Sequence, residues 1–442
     1  MKVLRAEGGK MKIAIVGAGI GGLAAARLLA RGGAQVTVFE RADGVENMRY
    51  DWHDDVDPSV FAECGLPVPE GSFPKKDWTF IAPNGGARSM HEERPDVSVM
   101  RRELNRLLVN EARSSGAEVR FSSCVSELLL SGGRVVGVVA GGREVSADLV
   151  VDSSGVDSPL KKALGGLVSA HEKDEVFRVF RAFYARAENS KAKYSNKVYL
   201  KHLGEAGISW VIEDGGETDV LIGRVGELSE PCLARALEEL KGQNPIIGEE
   251  LVRGGGRYVI PVRYPATRMA ADGYVLIGDS AFMTIPMLGS GIACSLNAAS
   301  MLAECILSAL RAGADAKTAS SRATLWRYQR AFWLKYADFC GVDVIKRGVL
   351  SLSDKTLSFI LTSKVLSNAQ ICDLAKGRLL KPPAAELLRM AWRGRAGIFS
   401  LLPVAALLFK ARKTAALARK IPEKYEEKAV LKWENKLAKR FI

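Results

Sequence analysis

The residues most able to do chemistry stand near the start of the chain. Gly17-Ala18-Gly19-Ile20-Gly21-Gly22 follows a short β-rich run, residues 12–16, and leads into an Ala/Leu-rich stretch, residues 23–31. In that arrangement Gly17 makes a tight turn and Gly19 lets the backbone approach a pyrophosphate. Gly22 lets the next helix pack on the strand, with the helix N-terminus facing the phosphates. Residues 35–40 read as the second strand. Glu40 ends it, 18 residues after Gly22, where a carboxylate can take the hydroxyls of a ribose. Glycines alone would be a weak signal. Strand, glycines, helix and strand-end acid together predict a dinucleotide-binding βαβ unit.

That unit does not separate a flavin from a nicotinamide, but later segments do. Ala147-Asp148-Leu149-Val150-Val151-Asp152-Ser153-Ser154-Gly155 reads as a hydrophobic strand ending in a small-residue turn. Tyr274-Val275-Leu276-Ile277-Gly278-Asp279 is another strand, ending in Gly-Asp. Pro286-Met287-Leu288-Gly289-Ser290-Gly291-Ile292 follows and opens a helix whose N-terminal amides can face developing negative charge. In order and spacing, residues 12–310 resemble the FAD oxidoreductases of the para-hydroxybenzoate-hydroxylase fold. Arg101-x-x-Leu104-Asn105-x-x-Leu108 is similar to that family's Arg-x-x-Phe-Asp-x-x-Leu segment. The resemblance implies noncovalent FAD, with Asp279 on the ribityl chain and Arg101 near the phosphates or ribityl. It further implies that Pro286, Gly289, Gly291 and Ile292 form the loop under the flavin. Gly155, Arg41 and Val125 complete the cofactor-binding set it suggests.

Within that fold the chain looks most like the geranylgeranyl reductase branch. Gly207-Ile208-Ser209-Trp210-Val211-Ile212-Glu213 resembles the branch's Tyr-x-Trp-x-Phe-Pro motif, which lines the substrate cavity, although only the Trp is kept. Trp210 is therefore the expected substrate contact. Phe282 and Met283 stand where aromatic-ring hydroxylases usually place a His. The surroundings of Lys75 and Lys76 do not match the catalytic-lysine segment of flavin halogenases. Both points favour a reductase or dehydrogenase, and the resemblance implies an apolar, prenyl-like substrate. The rival readings are an FAD monooxygenase for an aromatic or polyketide-like substrate, and a flavoprotein passing electrons to a membrane quinone. Alkene reduction needs a hydride and a proton. The segment Tyr50-Asp51-Trp52-His53-Asp54-Asp55 offers His53 and Asp54 as candidate catalytic residues, His53 being able to deliver a proton near neutral pH. The competing reading is a polar turn in which Asp55 or Asp57 caps a helix. No second Gly-x-Gly-x-x-Gly occurs, so NAD(P)H would dock transiently as electron donor, or a redox carrier protein would take its place.

These residues need an α/β framework to bring them together. The expected fold is α/β: a discontinuous Rossmann-like FAD-binding domain over residues 11–165 and 266–315, an antiparallel β-sheet substrate domain over 166–265, and a helical C-terminal region over 316–442. Helices are expected at 101–115, 230–240 and 292–310, with breaks in the C-terminal helices near Lys381-Pro382-Pro383 and at Pro403. Residues 45–75 read as irregular, and residues 1–10 as a disordered leader, Met11 being a second candidate start.

The net charge of +13 lies almost wholly in residues 376–442, where 17 Lys and Arg stand against 5 Asp and Glu. A near-neutral body with one basic end argues against nucleic acid and for a surface-docking tail on an anionic membrane. Residues 396–409 are uncharged but too short to span a bilayer, and basic residues flank them. Residues 280–303 are uncharged and long enough, yet Pro286, Gly289 and Gly291 make them a buried loop and helix instead. Seven scattered cysteines and four histidines predict neither a disulfide framework nor a metal site, and suit a cytoplasmic protein peripheral on the inner membrane face.

Overall fold

The computed structural model describes residues 10–188, 190–194, 196–379 and 381–441. Residues 1–9 of the expected leader lie outside them. Strand Lys12–Val16 is buried at every apolar position, as a strand covered on both faces must be. It pairs in parallel with Gln35–Phe39 on one side and Leu149–Asp152 on the other. Glu118–Arg120 and Tyr274–Leu276 extend this sheet in parallel, and Ala270–Ala271 closes one edge antiparallel. Helix Ile20–Arg31 packs between the sheet and helices Arg101–Ser114 and Ile292–Arg311. Close packing explains Gly22: a Cβ there would lie 2.7 Å from the Gly17 carbonyl oxygen and 2.9 Å from Ser153 Cβ. Gly17 itself has φ +87°, which an L side chain resists.

A second sheet has the order Ile247–Pro261, Val176–Arg186, Glu217–Val225, Gly207–Asp214, Lys197–Leu200, Asp77–Ile81, Ala87–His91. It is antiparallel except where Lys197–Leu200 meets Asp77–Ile81. The hairpin 77–91 thus leaves the body built on the parallel sheet to join the second sheet. Helix Glu230–Gln243, capped by the Ser229 hydroxyl, buries Leu233, Ala236 and Leu240 against that sheet.

The stretch expected to be irregular contains a strand. His53–Val56 pairs antiparallel with Val97–Met100, and helix Ser59–Glu63 follows. Asp57 accepts the Ser59 amide at 3.0 Å, so the capping role expected of Asp55 or Asp57 falls to Asp57.

The C-terminal region is helical, with the expected break before Ala384–Arg393. Pro403 does not break its helix. It lies near the start of Ile398–Ala418, where it costs one early hydrogen bond, and the remaining turns are held by packing on Asp338–Ser351. Polar contacts tie the helix Asp338–Ser351 to the ends of the second sheet: Lys346, paired with Asp343 of its own helix at 2.8 Å, donates to the Val262 carbonyl, and Arg347 pairs with Glu175 at 3.3 Å. Among the described residues one helix, Ile292–Arg311, is long and apolar enough to cross a membrane. Its buried face packs on the first helix, which accounts for its apolarity. The described cysteines are all free, and no cluster of described His, Cys, Asp or Glu could hold a metal ion.

Candidate functional site

Four chain segments converge at the carboxyl end of the parallel sheet. The turn Gly17–Gly22 opens helix Ile20–Arg31, whose N-terminus has no side-chain cap and no acid in its first turn. The Gly22 amide donates to the Ser153 hydroxyl at 3.1 Å, and the other first-turn amides are left for an anion. Glu40 accepts the Ala18 amide at 2.8 Å and the Ala42 amide at 2.9 Å. A carboxylate has about four lone-pair sites, so two remain for ribose hydroxyls. Arg41 beside it is exposed, and Val125 is buried at the start of strand Val125–Ser131.

Gly278-Asp279 follows the strand Tyr274–Leu276, and Gly291 caps helix Ile292–Arg311 without any acid in its first turn. A Cβ on Gly291 would lie 3.4 Å from Asp279 Oδ1, and one on Gly289 2.6 Å from Ile260. Asp279, Gly289 and Gly291 therefore share one tight cradle, with Pro286 and Ile292 buried at its base. Burial pushes the Asp279 carboxyl up, Arg101 and Lys161 pull it down, and Asp54 adds to the rise. Lys161 had no signal in the sequence. Its Nζ donates to the carbonyls of Val156 (3.1 Å) and Ser280 (2.9 Å), and burial pushes it down to about 8. The next strand end is similarly tied: Asp152 accepts from Ser154 and Ser158 and from the Tyr274 hydroxyl, shaping the turn into Gly155.

Arg101 begins helix Arg101–Ser114 and donates to Asp54 at 2.8 Å. Its Nε is buried with no hydrogen-bond partner. A buried guanidinium nitrogen left unpaired costs free energy, and an anionic cofactor group would satisfy it. A helix end without a local cap, a carboxylate with lone pairs to spare on Glu40 and the partnerless Nε of Arg101 together fit FAD. Tyr50 (φ 69°) closes the site, its ring 5.2 Å from the Arg101 guanidinium. Burial and the nearby Asp279 push its phenol up to about 12.

Beyond the cradle lies a cavity of ≈ 470 Å³ walled by Trp52, Trp210, Leu221, Ile260 and Ile285. Both sequence-derived catalytic candidates line it. Because a strand alternates its side chains, His53 and Asp54 diverge. Asp54 turns to Arg101 and to Trp52 Nε1 (3.0 Å). His53 Nδ1 meets Asp214 Oδ2 at 2.5 Å, and its ring packs edge-on against Phe73. Burial raises the Asp214 carboxyl, but the His53 hydrogen bond and charge, with Lys75 and Arg253, outweigh this and hold it low.

Sequence reasoning missed the groups behind the cavity wall. Arg181 is 4% exposed and is bound by both oxygens of Asp219, at 3.0 and 2.7 Å. The guanidinium stacks 4.7 Å from the Trp52 ring and 5.0 Å from that of Trp210. It also donates to the His53 carbonyl at 2.9 Å, and Trp210 Nε1 donates to Asp219 at 3.2 Å. One buried ion pair thus sets both indoles. Trp210 both lines the cavity and packs in the sheet. Trp210→Ala should leave FAD content unchanged and cut kcat/KM roughly ten- to two-hundred-fold, as loss of an apolar pocket wall does. Loss of soluble, flavin-loaded protein would instead assign Trp210 to the core.

Comparison with known proteins agrees with this geometry. Residues 15–61 match the family model of an NAD(P)-binding Rossmann-like domain. Digeranylgeranylglycerophospholipid reductase 1 of Methanopyrus kandleri is 27% identical over 74% of this chain and 87% of its own length. The corresponding Sulfolobus acidocaldarius reductase is 22% identical over 94% of this chain and 93% of its own. A solved geranylgeranyl bacteriochlorophyll reductase-like protein of Thermoplasma acidophilum superposes with TM-score 0.73. It is 18% identical and covers 90% of this chain and all of its own. The chain is an FAD-dependent oxidoreductase that is similar to the geranylgeranyl reductases. In this flavoenzyme the fold is the α/β one expected, and the helical C-terminal region is part of it.

Proposed function

We propose that the flavoenzyme reduces carbon–carbon double bonds of a prenyl or similar apolar, lipid-like chain. One observation carries this reading: the cavity beside the flavin cradle has indole and aliphatic walls and also reaches His53. An apolar chain is accommodated there next to a proton source. The similarity to digeranylgeranylglycerophospholipid reductases supports the same substrate class.

FAD held by the Gly17–Gly22 turn, Glu40 and Asp279 would, when bound and reduced, supply the hydride for one carbon of the double bond. The protein must deliver a proton to the other carbon, and it must keep water from the site. The indole and aliphatic part of the wall would shield the double bond from water, while charged groups such as Lys75, Asp96 and Lys376 line the rest of the cavity. His53 is the proton donor, its imidazole lining the cavity and held in place by Asp214. With Nδ1 committed to Asp214, Nε2 is the atom that exchanges it. Asp54 is the positioning residue, holding Arg101 toward the cofactor phosphates. NAD(P)H docking transiently, or a redox carrier protein, brings the electrons. The basic C-terminal region supports peripheral contact with the inner face of an anionic membrane.

His53→Gln keeps a neutral hydrogen-bonding group and should leave FAD affinity intact while slowing turnover roughly 10²–10⁴-fold. Asp54→Asn should do the reverse, weakening FAD retention more than the chemical step. Mass spectrometry of products formed in D2O checks the reaction, each reduced bond gaining one solvent deuterium. A hydroxylated product formed with stoichiometric NADPH oxidation would instead identify a monooxygenase.

A further inference from the structure

The four most exposed large apolar side chains among the described residues are Leu388 (73%), Trp392 (69%), Leu402 (61%) and Phe409 (60%). All four belong to two consecutive helices, Ala384–Arg393 and Ile398–Ala418. Leu388 and Trp392 are one helical turn apart. Leu402, Ala406, Phe409 and Lys413 form a second stripe at helical spacing. The opposite side of the longer helix is closed: Ala411 and Ala415 are buried, and Leu407 packs on Gly348. The short connection between the helices is tight, since a Cβ on Gly394 would lie 2.2 Å from Leu401.

Charge selects what covers these stripes. Residues 376–422 hold eleven Lys and Arg and a single acid, Glu386. Two of the basic groups sit directly over exposed aromatic rings: Arg395 is 4.1 Å from Trp392, and Lys413 is 4.2 Å from Phe409. Apolar groups bordered by cations match an acyl–headgroup boundary, where a second copy of the same basic surface would be repelled.

The same helices are mounted on the rim of the cavity. Gln370 donates to Met390 Sδ at 3.6 Å, and its helix, Asn368–Ala375, lines the cavity with Cys372 and Ala375. Asp338 is also in the lining, and it accepts Arg419 from just past the longer helix at 2.6 Å.

We propose that Leu388, Trp392, Leu402 and Phe409, framed by Arg395 and Lys413, form a docking face for an anionic bilayer, which presents lipid substrate to the adjoining cavity. The delivery step rests on the proposed lipid substrate; the docking step does not.

The test uses the FAD-loaded full chain with phosphatidylglycerol and phosphatidylcholine vesicles. Binding should occur on the anionic vesicles and fall with salt. Leu388→Glu with Trp392→Glu should weaken it roughly tenfold or more, the worth of large apolar groups leaving lipid. The same variant should reduce a short, water-soluble prenyl alcohol at the wild-type rate and a vesicle-embedded polyprenyl substrate at least tenfold more slowly. Absence of wild-type binding to anionic vesicles at low salt overturns the proposal, as does unchanged binding by the variant. A concentration-dependent dimer that the variant abolishes, with no vesicle binding, also overturns it and makes the face a contact between copies. Vesicle binding without turnover of any prenyl chain keeps the docking face and removes the substrate reading.

Discussion

Replacing Asp279 with alanine is expected to weaken FAD binding by about 1.5–3 kcal/mol, roughly 10- to 150-fold in Kd, because a ribityl hydroxyl loses a charged acceptor. Asp279 lies 3.4 Å from the position a Cβ on Gly291 would take, inside the cradle that opens helix Ile292–Arg311. Water cannot easily replace the carboxylate there, since Gly278 and Ser280 on either side are buried. Asp279→Asn should lose less, because an amide oxygen still accepts. The measurement is the flavin-to-protein ratio after gel filtration, followed by titration of the apoprotein with FAD. An alanine variant with wild-type affinity would remove Asp279 from the cofactor site. Reduced flavin carries additional negative charge, so Asp279→Ala should affect binding of the oxidised form more than that of the reduced form.

The second large effect concerns Asp219. Removing it leaves the Arg181 guanidinium, 4% exposed, with Asp54 at 3.8 Å as its remaining close counter-charge and without its bidentate partner. Breaking a buried pair in this way costs about 3–5 kcal/mol, whereas replacing both partners by apolar groups of similar volume is close to neutral. Asp219→Ala should therefore lower the melting temperature and perturb the fluorescence of Trp52 and Trp210, both of which stack on Arg181. Arg181→Met combined with Asp219→Leu should recover the thermal stability. It should not recover turnover, because Trp210 Nε1 loses its acceptor and the cavity wall its fixed orientation. A single Asp219→Ala protein as stable as wild type would show that Asp54 or water compensates the Arg181 charge, and that the Asp219 pair is not what holds it.

Arg181 also marks how far the sequence could be read. In Phe177-Arg178-Val179-Phe180-Arg181-Ala182-Phe183, positions 177, 179 and 183 face the core, and Arg181 shares their phase. A charge on the buried phase of a strand was a legible signal for a partnered buried ion. Its partner was not legible, because Asp219 lies 38 residues away and only the sheet register brings them together. The same limit applies to His53 and Asp214, separated by 161 residues. The flavin cradle was far more readable, since Gly17, Gly22, Asp279 and Gly291 answer backbone requirements that few other residues meet. The strand His53–Val56 escaped notice because its sequence, His-Asp-Asp-Val, has almost no β propensity. Pairing with Val97–Met100 supplies what the local sequence lacks. Pro403 misled in the opposite sense: packing of its helix outweighs one lost hydrogen bond.

The central claim, that reduced flavin in this protein gives its electrons to an isolated double bond, is tested by anaerobic single turnover. The FAD-loaded enzyme is reduced with dithionite and mixed with a polyprenyl lipid in the absence of oxygen, and flavin absorbance is followed. Reoxidation of the flavin, with saturated product appearing in equal amount, is the predicted result. A flavin that stays reduced with every prenyl chain but reoxidises on addition of a quinone would contradict it.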